Sequence, residues 1–425
     1  VAYNKDKWSF QAGFGLTGGG GKASFNEGLP SFERQIAILP ALINQQLPTF
    51  STLLGQQETP ATSYSMQSYM SGHQYNFGLQ LGVAYKINEN LSVFGGARFN
   101  YIYNKYEGNI TNISADVNGN NQNLYEYFGS KAKLLTEKAA ALQAQAVAAK
   151  TQADAYQAQA NAATDPTAKA QLQAAANQYA AGAQQASAGA KLVSAGADKL
   201  NSSKELVKDR YVEVSQRGWG ITPILGIDYR TGKWNFAARY EFTTKFNIEN
   251  NTKRDDTQKY ENGVNTPNDI PGILALGAQY EVLKNLRVMA GYNHYFDKDA
   301  RMDKQRFRKH NTQEFLAGVE WDINPSVTVS AGGQRTLYGL GDGKYLTDLS
   351  FVTSSYSFGV GAKIKVAKNA HLNVAYFFTN YSKFTKNYED AITIGREQVT
   401  QPDGTISVQP KTLATKNTDI FTRTN

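Results

Sequence analysis

The chain reads as an all-β transmembrane protein, an antiparallel outer-membrane β-barrel with an antiparallel helical hairpin inserted in one external loop. Three observations predict it. Long segments alternate apolar and polar residues with period two, as strands with one greasy and one wet face do. Short turns and long loops alternate along the chain, the rhythm of a barrel whose two rims differ. Mean hydropathy is −0.48, and no apolar run approaches the roughly 18 residues that a spanning helix needs.

Segment 219–249 shows the alternation most clearly. Trp219, Ile221, Leu225, Ile227 and Tyr229 share one face of its first run. Thr231 and Gly232 turn the chain. In the second run Trp234, Phe236, Ala238, Tyr240 and Phe242 oppose Asn235, Arg239, Glu241, Thr243 and Lys245. A hairpin of a soluble β-sandwich has the same local signature, so the rest of the chain must decide.

Residues 8–17 form the first strand. Gly18, Gly19, Gly20 and Gly21 follow, where the ladder is expected to kink or end, because four glycines lose much backbone entropy and pack no side chain. The long loop 18–72 carries an apolar patch at 36–47, broken by Pro40. Strands 73–87 and 91–104 are joined by a tight turn at 88–90. In the first of them Phe77, Leu79, Leu81, Val83 and Tyr85 oppose Asn76, Gly78, Gln80, Gly82 and Ala84. A soluble core gains nothing from that second face, but a wet lumen does.

From 105 to 218 the pattern changes to an external loop with an Ala- and Gln-rich helical segment at 130–209. Thr164 or Asp165 can cap its second arm, and Pro166 suits the first turn. Leu135, Leu142, Ala149 and Tyr156 recur at steps of seven, as do Leu172, Tyr179, Ala186, Val193, Leu200 and Val207. This heptad seam, with alanine as its small partner, predicts a closely packed antiparallel hairpin. Each arm would reach roughly 50 Å. Recurrent Gln, Lys and Asp exclude a bilayer crossing, and a disordered low-complexity insert is the competing reading.

The last block, 219–425, continues the barrel. Strands are expected at 270–282, 286–296, 312–323, 326–338, 351–366 and 370–381, with short turns at Lys284 and Asn285, Asn324 and Pro325, and Lys368 and Asn369. Long polar loops lie at 250–269, 297–311, 339–348 and 382–419. With the block 1–104, this makes eleven strands visible in the chain.

Composition removes other classes. The 425 residues include no cysteine, which excludes disulfides and thiol chemistry, and the net charge of +8 is spread along the chain. No nucleic-acid-reading motif accompanies it, so no nucleic-acid partner is expected. His73, His294, His310 and His371 lack metal-ligand spacing. There is no nucleotide-binding glycine motif and no Ser–His arrangement. Neither an enzyme, a cofactor nor a metal is expected.

The barrel segments resemble the FadL-type family of outer-membrane transporters for long-chain fatty acids and other hydrophobic compounds. The resemblance lies in Trp219 and Gly220 with the strand pair after them, in Lys7, Trp8 and Ser9 with the following glycines, and in segments 73–99 and 270–295. It does not extend to the helical hairpin. It implies a 14-stranded barrel in the outer membrane of a Gram-negative bacterium, in contact with lipid and lipopolysaccharide. In that register residues 8–17 are the third strand. Two strands and a plug are then expected before Val1, and one strand after Asn425. The resemblance further implies capture of a hydrophobic small molecule at an external groove, and lateral release through a wall gap made by a kinked strand.

Within that expectation Ile36, Ile38, Leu39, Leu42, Ile43 and Leu47 are the candidate groove, with packing as a loop core the competing reading. Gly18, Gly19, Gly20 and Gly21 are the candidate strand kink or lateral opening. Arg98 and Arg239, on the lumen face by alternation, are candidate contacts for a carboxylate head group; simple pairing of such charges across the lumen is the alternative. Two other functional readings stand beside transport. One is a barrel-anchored surface or adhesion protein whose hairpin binds a partner, and the other is a general diffusion porin.

Overall fold

Each alternating segment forms a strand that pairs antiparallel with the next, in an up-and-down meander. The computed structural model describes residues 1–302, 304–348, 351–367, 370–401 and 405–423. Side chains at 20, 392–398, 400, 406, 408 and 410–411 lie outside that description. The elements are β1 (Ala2–Lys5), β2 (Trp8–Phe25), α1 (Pro30–Ile36), α2 (Leu39–Leu54), β3 (Tyr64–Lys86), β4 (Leu91–Val117) and β5 (Asn120–Asn123). Then come α3 (Leu124–Ala162), α4 (Pro166–Leu206), β6 (Arg210–Thr231), β7 (Trp234–Glu241), β8 (Asn247–Asp255) and β9 (Asn265–Pro267). The remaining strands are β10 (Ile273–Leu283), β11 (Leu286–Tyr295), β12 (Thr312–Asn324), β13 (Val327–Leu337), β14 (Ser355–Ala367), β15 (Ala370–Tyr381), β16 (Phe384–Thr400) and β17 (Ile406–Phe421).

The main sheet runs β1-β2-β3-β4-β6-β7-β10-β11-β12-β13-β14-β15. Its long members are the eleven strands expected from the sequence. One face carries Phe14, Trp219, Ile221, Leu225, Phe358, Val360 and Tyr376, each more than half exposed. Soluble monomers do not expose apolar surface on this scale, whereas a lipid-facing wall does. Among the described residues no helix is long and apolar enough to cross a membrane.

Several boundaries differ from the sequence reading. β3 starts at Tyr64 and β4 ends at Val117, while β6 starts at Arg210, so three strands run on well past the apolar band. There the strands leave the lipid-facing band, and their apolar residues Met66, Ile110, Ile113 and Val117 pack into the loop core instead. The helical hairpin therefore starts at Leu124 and ends at Leu206. The loop 382–419 is not a loop but a second, two-stranded sheet, β16 with β17. The second run of 219–249 is not one strand, because it breaks after Glu241. The expected turn at Lys368 and Asn369 lies outside the described residues.

In the hairpin Asp165 caps α4 by accepting from Ala168 N at 2.9 Å, and Pro166 occupies the first turn. The seam is alanine on one side of each helix: Ala132, Ala146, Ala153 and Ala160 face Ala176, Ala183, Ala190 and Ala197, all buried. Such small residues bring the axes close. Tyr156 and Tyr179 stack at 5.5 Å near the tip. With 39 and 41 residues, the arms extend about 60 Å.

Candidate functional site

The inner face of β10 to β15 is built from small residues in register. Gly318, Gly332, Gly359 and Phe377 follow one another across β12, β13, β14 and β15, with Met289 of β11 opposite Gly318. A second row sets Ala237, Gly277, Gly291 and Leu316 side by side. At these five glycines, where side chains would project inward, backbone lies bare. The result is a cavity of about 860 Å³ with Met289, Leu316 and Phe377 as inward apolar side chains and Asn235, Gln279, Glu320, Ser330, Gln334 and Ser357 as polar ones. Phe377, on β15 at the end of the main sheet, is 75% exposed.

Polar clusters lie at both ends of this trough. On one side Glu314 accepts from Tyr295 Oη at 2.8 Å, Asn293 at 3.0 Å and Gln334 at 2.8 Å. On the other, Arg287 bonds Glu320 and makes two bonds of 2.9 Å to Asp322. Arg287 thus pairs with two acids across strands, while Glu314 is held by neutral donors from its neighbours.

Arg98 and Arg239 come together on one carboxylate. Arg98 reaches Glu241 at 2.9 Å and Gln80 at 2.9 Å, and Arg239 reaches Glu241 at 3.3 Å. The Glu241 side chain is 5% exposed while that of Arg239 is 55% exposed. Burial of an acid at this level requires a paired cation, which Arg98 supplies. Arg98 also lines a cavity of about 520 Å³ beside Thr17 and Gly78.

The glycine run sits above that cavity. β2 does not end there: its ladder with β3 continues to Phe25 through two register shifts, between Leu16 and Gly18 and between Gly18 and Gly21. Gly19 at φ +96° and Gly21 at φ +74° adopt conformations open to glycine. At Gly19 a Cβ would lie 2.2 Å from Gln74 O. Gly20 lies within the strand, and its surroundings are outside the described residues. The expected kink is thus a pair of bulges.

The six groove candidates are placed in a packed cluster. Ile36, Leu39, Leu42, Ile43 and Leu47 are buried against Ile113 and Val117 of β4 and Leu135, Val193 and Leu200 of the hairpin, and Ile38 is partly buried at the edge. Pro40 starts α2 rather than breaking it. This geometry is that of loop-core packing, and it roots the hairpin. Lys131 and Glu58 lock the same foot. Burial opposes ionisation of Glu58, but bonds from Lys131, Asn118 and Tyr127 outweigh it and hold the carboxyl below its usual value.

An open cavity lies next to that cluster. About 1000 Å³ separates α1 from the β16–β17 hairpin, with Phe25, Leu29, Phe32 and Phe351 as apolar lining and Arg34, Lys259, Lys304 and Lys386 as cations. Asp348, Asp390 and Asp419 also face it. Burial lowers Lys386 below its ordinary value; Lys304 and Arg34 add repulsion, while Asp419 and Asp342 offset part of it. Sequence reading missed this site because it pairs residues some 350 positions apart. Among the described residues no cluster of His, Asp and Glu could hold a metal ion.

No family model matches the chain, and no curated protein matches it. Solved structures do resemble it. The toluene transporter TbuX of Ralstonia pickettii shares 12% identity over 90% of this chain and 75% of its own, with a TM-score of 0.40. TodX, the toluene transporter of P. putida, shares 13% over 91% of this chain and 76% of its own, with a TM-score of 0.43. A FadL homologue from Pseudomonas aeruginosa shares 8% over 85% of this chain and 75% of its own, with a TM-score of 0.40.

Proposed function

We propose that the chain is an outer-membrane transporter for small hydrophobic or amphipathic compounds in a Gram-negative bacterium, of the FadL type that its barrel segments resemble. The observation that carries this reading is the bare glycine trough with Met289, Leu316 and Phe377 inside the wall. A general diffusion porin needs a wetted, polar inner surface. This trough is mixed but mainly apolar in exposed surface, and apolar surface lowers the free energy of a greasy solute there by about 25 cal/mol per Å² removed from water.

Capture begins at the external cavity between α1 and the β16–β17 hairpin, beside the candidate groove of Ile36, Ile38, Leu39, Leu42, Ile43 and Leu47, whose residues are packed in the loop core. Its cations suit an anionic head and its phenylalanines an apolar body. Arg98 and Arg239 are the inner contacts for a head group, and Gly18, Gly19, Gly20 and Gly21 mark one discontinuity of the wall. Lipid and lipopolysaccharide surround the outer face. No catalytic role is proposed. The test is uptake of radiolabelled laurate and toluene by a Gram-negative host lacking its own transporter, with and without the chain. Equal uptake in both would sink the reading.

The hairpin supports a second role. Beyond its foot the two arms pack chiefly on each other among the described residues, which leaves the tip to meet a surface partner.

A further inference from the structure

The wall has a second discontinuity, between β6 and its neighbour. On one edge β6 pairs with β4 without interruption from Arg210 to Tyr229. On the other edge pairing with β7 stops at Ile224 opposite Glu241 and resumes with β8 only at Arg217 opposite Glu249. Phe242 N still donates to Pro223 O at 3.0 Å, and beyond it residues 218–222 have no ladder partner on that side among the described residues. Pro223 lies at this break, and a proline cannot donate to a ladder.

The missing neighbour, residues 242–248, has folded inward. Thr244 and Phe246 lie over the inner faces of Gly220 and Gly218: a Cβ on Gly220 would sit 2.6 Å from Thr244 Cγ2, and one on Gly218 would sit 2.5 Å from Asn247 O. Only glycine allows this approach. Phe246 and Ile248 pack on Ile102, an inner residue of β4. Asp269 then accepts from Phe246 N at 3.1 Å and fixes the fold-in.

What the inward turn leaves in the wall is a cavity of about 440 Å³. Its lips are Trp219 and Ile221 of β6, 62% and 53% exposed, and Lys245, Asn247 and Asn265 across from them. Trp219 is the last large apolar residue on the outer face of β6, with Arg217 and Ser215 beyond it, so the gap lies at the edge of the apolar band. Beneath it Thr222 meets Thr244, and Asn100 gives its amide to Thr222 at 2.8 Å. Asn100 Oδ1, fully buried, has no hydrogen-bond partner. A buried orphan acceptor destabilises the closed arrangement and is relieved once the segment moves and water enters.

We propose that residues 218–223 and 242–248 frame a side portal through which a slender apolar body, an alkyl chain or a single ring, passes between the lumen and the outer leaflet. The inward segment is its movable leaf and Asp269 its anchor. This rests on the transport reading and adds an exit distinct from the bulged β2.

The absence of cysteine from the chain allows single thiols at Lys245→Cys and Asn265→Cys, on the lip facing β6, and at Lys22→Cys beside the β2 bulges. Each is treated on cells with N-ethylmaleimide or with a bulky biotin maleimide, and laurate and toluene uptake are compared with the same variant before treatment. Heat-modifiable gel migration confirms that each barrel stays folded. The portal predicts that the bulky adduct at 245 or 265 cuts uptake about tenfold, that the small adduct does so less, and that an adduct at 22 does so least. Loss for toluene as well as laurate assigns the portal to any slender apolar body; loss for laurate alone narrows it to chains. Uptake unchanged by bulky adducts at both 245 and 265, or lost only at 22, overturns the portal and leaves transport standing. Absence of uptake by the parent chain removes both.

Discussion

Asp269 and Arg301 hold each other through two bonds of 2.9 Å, Nε to Oδ2 and Nη2 to Oδ1. The carboxylate is 1% exposed and also receives the backbone N–H groups of Phe246 and Arg301. Burial opposes its ionisation, yet the Arg301 guanidinium and the two backbone donors outweigh it, so the carboxyl is held below its ordinary value. A carboxyl whose folded value is depressed contributes stability above its unfolded pKa, near 3.9, and loses it as pH falls through the folded value. Asp269→Ala is expected to cost about 1–3 kcal/mol at neutral pH, chiefly through the stranded Phe246 N–H. The gap between parent and variant unfolding midpoints, read by heat-modifiable migration, should narrow below about pH 4. A gap that stays constant down to pH 3 would refute the anchor.

The Arg98–Glu241 pair gives a different kind of prediction. Arg98→Leu strands a buried acid, a loss worth about 3–5 kcal/mol in a closed site; the exposed Arg239 at 3.3 Å keeps it near the lower figure. Adding Glu241→Leu should recover most of the stability, because the paired charges chiefly offset each other. If the stable double variant loses laurate uptake while keeping toluene uptake, Arg98 is a head-group contact; if both persist, its role is confined to the pair.

Filling the trough should act on uptake before it acts on folding. A Cβ on Gly359 would meet Phe377 Cβ and Tyr376 O at ordinary contact distances of 3.5 Å, so Gly359→Leu places its branch in the trough. Uptake of both probes is expected to fall several-fold with the barrel intact on a gel. Unimpaired uptake would remove the trough from the path.

The hairpin should divide into a foot that matters for the fold and a shaft that does not. Leu135 and Leu200 are fully buried at the foot, and either one changed to alanine should cost about 2–5 kcal/mol. Shortening both arms by whole heptads, which keeps the alanine seam in phase, should leave barrel stability and uptake unchanged. Protease protection of α2 is the readout: lost in the foot variants, retained in the shortened chain.

The bilayer part of the fold was legible because lipid imposes a strict contrast between faces. Trp219, Ile221, Leu225 and their counterparts alternate so clearly that all eleven long strands could be placed. Above the bilayer no face of β3, β4 or β6 meets lipid; Ile113, Ala115 and Val117 pack into the loop core instead, and the lipid-facing stripe that marks the strands ends. The terminal pair β16 and β17 was hidden for that reason. The inward turn at 242–248 was hidden for another: period two runs on through Phe242 and Thr244, and a change of direction leaves no mark on alternation. Its signals were Gly218, Gly220 and Pro223, three poor strand residues within one central strand. Arg98 and Arg239 could be assigned to the lumen by parity, but their common partner Glu241 depended on the register between neighbouring strands. Asp269 carried no signal, since its role depends on Arg301 across a loop.

Arg34 of α1 binds Asp390 at 3.2 Å and also donates to Tyr388, so the first helix of the chain is clasped by its last hairpin. Contacts between residues so distant in sequence form late, because closing so large a loop gains nothing until nearly everything between is in place. The outer crown is therefore completed only once the strands beneath it are assembled. A chain arrested before residue 384 would display α1 bare, and proteolysis at that helix reports how far assembly has gone.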